Sequence, residues 1–82
     1  EQNFPNPFNP TTNIKYSIAK SGFVTLKVYD VMGREVAALV NARMNSGNYE
    51  TAFDGSKLTS GVYYYQLRSG DFTETKKLML IK

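Results

Sequence analysis

The chain has 82 residues, ten Lys and Arg against seven Asp and Glu, and a formal charge of +3. It contains no cysteine and no histidine. That excludes disulfides, thiolate chemistry, a Ser-His-Asp triad and a histidine-based zinc site within the chain. The length suits one small domain with a thin core.

All three prolines lie in Phe4-Pro5-Asn6-Pro7-Phe8-Asn9-Pro10-Thr11-Thr12. Each ring fixes its own φ and removes a donor, and it pushes the residue before it into extended backbone. Residues 1–12 therefore read as a stiff arm with two aromatic rings, and residues 13–82 as the folded body. The arm is expected to lie as an irregular edge strand, with Phe4 and Phe8 pinned against the open side of the core.

Ile14, Tyr16 and Ile18 alternate with polar neighbours, the pattern of a half-buried strand. Ser21-Gly22 is a turn signal. Val24, Leu26 and Val28 form the apolar side of a second strand, which ends in the turn Asp30-Val31-Met32-Gly33. Residues 34–41 are ambiguous: Val36, Leu39 and Val40 fit helical spacing, while Val36, Ala38 and Val40 fit a strand. The segment is short, has no N-cap residue and sits among strands, so it reads as a strand bulged near Ala38-Leu39.

Asn45-Ser46-Gly47-Asn48 is the next turn. Tyr49, Thr51 and Phe53 mark a fourth strand. In the long connection of residues 54–61, Leu58 is the one large apolar residue and is expected to plug an end of the core. Residues 62–68 are rich in β-formers. Parity puts Tyr63, Tyr65 and Leu67 inward, and Tyr64 outward with Tyr29. After Ser69-Gly70-Asp71, the last strand runs over residues 72–82. Its ending, Leu78-Met79-Leu80-Ile81, breaks the alternation, so both faces are expected to be covered there.

Six or seven short strands with turns every eight to twelve residues indicate an all-β, immunoglobulin-like or fibronectin-like antiparallel sandwich. The acids, Asp30, Glu35, Glu50, Asp54, Asp71 and Glu74 among them, are scattered over turns and outward positions. They form neither a glycosidase pair nor a calcium cage. The glycines come one per turn and make no phosphate loop. No enzyme, no cofactor and no metal are expected. The basic residues are too dispersed for a nucleic-acid stripe. No run of about 18 apolar residues could cross a membrane as a helix, and no signal peptide opens the sequence. The sequence reads as a piece of a larger protein.

Five blocks in order carry a resemblance. They are Pro5-Asn6-Pro7-Phe8-Asn9-Pro10, Lys27-Val28-Tyr29-Asp30-Val31-Met32-Gly33-Arg34-Glu35-Val36, Gly47-Asn48-Tyr49, Ser60-Gly61-Val62-Tyr63 and Lys76-Lys77-Leu78-Met79-Leu80. Together they resemble the type A C-terminal sorting domain of type IX secretion cargo in Bacteroidetes and related bacteria. A related Ig-like module occurs in the flagellar hook-capping protein. One departure is Asn45-Ser46, where the family often has Pro-Ala.

The resemblance implies a secretion signal, not an enzyme. Its partners would be a cargo domain earlier in the same chain, the outer-membrane translocon and a sortase-like protease that removes the domain near its start. The location would be the periplasm in transit, then the cell surface or the medium. Carried over by position, recognition would fall on Pro5, Asn6, Pro7, Phe8, Gly47, Tyr49, Gly61, Val62, Tyr63, Lys76, Lys77, Leu78, Met79, Leu80, Ile81 and Lys82. On physical grounds Gly33, Gly47 and Gly61 serve backbone turns, and Tyr49 and Tyr63 fill the core. The proline arm and the terminal strand are the better contacts, because edge strands offer unpaired backbone. The alternative is a carbohydrate-binding or structural Ig-like accessory module, with Tyr29 and Tyr64 as a sugar platform.

Overall fold

A computed structural model describes residues 11–81 of the chain. The proline block and Lys82 lie outside the described residues, and so do the readings made for them. Six strands follow one another: β1 (Thr11–Ile18), β2 (Gly22–Tyr29), β3 (Glu35–Met44), β4 (Gly47–Asp54), β5 (Gly61–Ser69) and β6 (Phe72–Leu80). All pairings are antiparallel. One sheet is β1-β4; the other is β3-β2-β5-β6. The molecule is an Ig-like β-sandwich.

The period-two pattern explains the core. β1 buries Ile14, Tyr16 and Ile18, and β2 buries Val24, Leu26 and Val28. Phe53, Tyr63, Leu67 and Leu80 complete the cluster, and Leu58 packs half-buried against it from the long connection. Tyr65 points inward with Tyr63 and Leu67 but is only half-buried. Tyr16 and Tyr49 face each other across β1-β4 with ring centroids 5.6 Å apart and stacked.

β3 resolves the ambiguous segment. Leu26 pairs with Val40 and Lys27 with Ala38, so Leu39 is an extra residue. Val28 pairs with Ala37 and Tyr29 with Glu35, so Val36 is a second one. Each bulge shifts the phase of the strand. Val36, Ala37, Leu39 and Val40 therefore all pack against the core, in two adjacent pairs. That spacing imitates a helix without being one.

The end of β6 corrects an expectation. Both faces of residues 78–81 were expected to be covered, yet Met79 is 56% exposed and Ile81 71% exposed, while Leu80 is buried. Leu80 must point inward, and parity then sends its neighbours out. An apolar side chain that stays in water gains nothing on folding, but it adds no cost relative to the unfolded chain. The core therefore tolerates both.

Among the described residues, a two-stranded sheet faces a four-stranded one and does not span it. The inner face of β6 consequently becomes exposed toward its start, at Phe72, Glu74 and Lys76. The turn at residues 30–34 is built tightly. Asp30 Oδ1 accepts from the backbone N–H of Met32 and of Arg34, each at 2.9 Å, and Gly33 takes φ 84°, the left-handed region that glycine accepts without strain.

Candidate functional site

The β5-β6 hairpin brings two of the sequence blocks together. Gly61 pairs with Leu80, Val62 with Met79, Tyr63 with Leu78, Tyr64 with Lys77 and Tyr65 with Lys76. Residues 61–63 and 76–80, far apart in sequence, thus form one double-stranded surface. On its outer side lie Val62, Tyr64, Lys77 and Met79, with Ile81 just beyond β6. Tyr29 sits beside Tyr64 in the same row. On its inner side Tyr63, Leu78 and Leu80 join the core.

Lys76 and Lys77 point to opposite faces. Lys77 stands beside Tyr64 on the outer face. Lys76 lies on the inner face beyond the reach of the smaller sheet, with its Nζ 3.9 Å from Glu74 Oε2. On the outer face, Gln66 Nε2 donates to Thr75 Oγ1 at 3.1 Å. Among the described residues, β6 has a strand neighbour on one side only.

Gly47 and Tyr49 are not part of this surface. Gly47 pairs with Ile18, at the opposite end of the sandwich from Gly61 and Leu80. Tyr49 Oη donates to the Asn45 carbonyl at 2.7 Å and so fastens the β3-β4 turn. Tyr63 does the same for the long connection, donating to the Thr59 carbonyl at 2.8 Å. Gly47 and Gly61, two residues before each tyrosine, take φ 149° and 154°. Each glycine-tyrosine motif thus ties the loop before it to the strand that follows.

Four exposed apolar residues carry no expectation from the sequence: Phe23 in β2, Phe72 at the start of β6, and Val31 and Met32 at the tip of the Asp30 turn. Phe72 carries no signal of its own, since the same strand pattern predicts it inward. It does point inward, yet it is 53% exposed. A groove there is lined by Tyr16, Tyr49, Phe72, Glu74 and Lys76.

Titration chemistry is sparse. The Asp30 carboxyl is held below its ordinary value, first by the Arg34 backbone N–H and then by the Arg34 guanidinium and the Met32 N–H. Burial and the neighbouring Tyr49 raise the Tyr16 hydroxyl. Among the described residues no group of acids could hold a metal ion. No helix is long and apolar enough to cross a membrane.

A family model described as "Secretion system C-terminal sorting domain" matches residues 2–82. The chain belongs to this family. It is the C-terminal sorting signal of type IX secretion cargo, and the match supports no carbohydrate-binding reading. Sorting domains of this family are signals, with no known catalytic role. Membership implies interaction with the secretion machinery and with a cargo chain, and export to the cell surface or beyond it. No curated protein and no solved structure matches the sorting domain.

Proposed function

We propose that the outer-membrane translocon grips this sorting domain by the surface of Gly61, Val62 and Tyr63 with Lys76, Lys77, Leu78, Met79, Leu80, Ile81 and Lys82. The cargo precedes it in the chain. The domain folds in the periplasm, is read at the outer membrane, and is then cut off near the proline block by a sortase-like protease. The cargo is left attached to lipopolysaccharide or released. Pro5, Asn6, Pro7 and Phe8 serve that cleavage end of the signal.

One observation carries the reading. Met79 and Ile81 are large apolar residues left in water on the solvent side of a strand end, next to Val62 and Lys77. Exposed apolar side chains clustered beside a basic residue mark a surface made for contact. The inward-facing members, Tyr63 and Leu80 buried and Leu78 half-buried, act by holding that strand end in place. Gly47 and Tyr49, at the far end, act only by keeping the domain folded.

The test is export of a reporter fused ahead of the chain in a host with the type IX system. Met79→Glu with Ile81→Glu should stop export, and Phe23→Glu, at an apolar residue about as exposed as Met79, should not. Export of both fusions at the unmodified rate would remove the strand end from the recognition surface.

A further inference from the structure

We propose that β6 is a self-complementary edge, through which two copies of this domain pair strand to strand. The inference rests on the edge alone and holds whether or not the translocon reads the same strand.

An open edge normally repels other strands, and an inward-pointing lysine such as Lys76 is a common guard. Here the guard carries its own complement. Consider β6 meeting a second β6 antiparallel, with a two-fold axis through Thr75. Thr75 then faces Thr75 of the second copy. Glu74 faces Lys76 of the second copy, and Lys76 faces Glu74. Phe72 faces Leu78, and Leu78 faces Phe72. All four pairs formed by residues 72–78 of the inner row match in character, charge to opposite charge and apolar to apolar. Directly opposed pairs of these kinds stabilise an antiparallel ladder, whereas like charges oppose it.

The register is specific. Moving the axis to Lys76 sets Lys76 against itself and Glu74 against Leu78. Moving it to Glu74 sets Glu74 against itself and Lys76 against Phe72. Only the axis at Thr75 satisfies both charges and both apolar residues. The two-fold keeps the inner faces of both sheets on one side, so the product is a continuous eight-stranded sheet.

Three features of the structure leave the edge available among the described residues. β6 is hydrogen-bonded to β5 alone. Phe72 is 53% exposed although it points inward. The charges are held within the strand only by the 3.9 Å contact between Lys76 and Glu74, both about half exposed. In the pair, each exchanges this long contact for a directly opposed partner.

Sedimentation equilibrium of the 82-residue chain tests the proposal, with thermal unfolding as a control for folding. The expected result is a reversible monomer-dimer equilibrium. Glu74→Lys alone and Lys76→Glu alone should each weaken it by about tenfold or more, because each variant sets like charges opposite one another. The double variant should restore it, since exchanging both charges restores every match. Mixing the two single variants should give heterodimers. Thr75→Cys should cross-link to itself on oxidation, because facing residues in such a ladder are within disulfide reach, and Thr73→Cys should not. A chain that stays monomeric to about 1 mM would overturn the proposal. So would a dimer indifferent to all the charge variants, or a monomer whose β6 amides resist hydrogen exchange because residues 1–10 occupy the edge.

Discussion

The Tyr63 hydroxyl donates to the carbonyl of Thr59, four residues upstream, at 2.8 Å. Tyr49 repeats the arrangement with Asn45 at 2.7 Å. Each tyrosine follows a Ser-Gly-x sequence whose glycine has a positive φ. The chain thus uses one local device twice: a glycine swings the backbone into a strand, and the tyrosine two residues on ties the preceding loop to it. Ig-like domains use a comparable tyrosine corner.

Tyr63→Phe should destabilise the domain by about 1 kcal/mol, because the Thr59 carbonyl loses its donor beside the core. Tyr49→Phe should cost less, since Tyr49 and Asn45 are closer to water. Urea unfolding of both variants checks the order. Equal or reversed costs would show that the hydroxyls do not fasten the loops as described.

Gly55 lies against Leu80 so closely that an added Cβ would stand 2.7 Å from Leu80 Cδ1. Gly55→Ala should therefore cost about 1–3 kcal/mol through overpacking. Leu80→Val shortens the offending side chain. The double variant should lose less stability than the two single losses combined, a coupling that a double-mutant cycle measures directly. Additive losses would mean that the contact carries no strain.

At Gly61 there is open space around the missing Cβ, but φ is 154°. Gly61→Ala should cost about 1–3 kcal/mol from backbone strain alone. Unlike the Gly55 case, trimming a neighbour should not rescue it. Rescue by any nearby truncation would point to a clash in place of strain.

Asp30 gives the fold an acid-sensitive turn. Its folded carboxyl titrates below the ordinary value of 3.8. The charged form is thus favoured by the fold, so its contribution is complete above the unfolded value. It fades as pH falls below that value and through the folded one. Asp30→Asn keeps an oxygen for the turn but does not titrate. Thermal midpoints taken from neutral pH down to about pH 2 should fall less steeply for this variant. Parallel curves would contradict the role of the carboxylate.

Much of this architecture was legible in the residues. Ile14-Tyr16-Ile18 and Val24-Leu26-Val28 announce their strands because each lies across the core with one face wet. Tyr63 and Leu67 follow the same parity. β3 was harder, since its two bulges place Val36-Ala37 and Leu39-Val40 inward as pairs and blur the period. The bulge at Leu39 was still predictable from that broken rhythm. The exposure of Met79, Ile81 and Phe72 was not. It depends on how many strands the opposite sheet contains and how far β6 projects beyond it, and no local pattern records that. For the same reason the sequence blocks at 61–63 and 76–80 pointed to contact without revealing that they lie side by side, or that Gly47 and Tyr49 lie at the other end.

The most direct measurement follows a folded reporter carrying this domain at its C-terminal end, in a host with the type IX system and in a sister strain lacking the translocon. The reporter should reach the surface or the medium in the first strain and accumulate in the periplasm of the second. Export in both strains, or retention in both with the domain intact and folded, would contradict its role as the sorting signal.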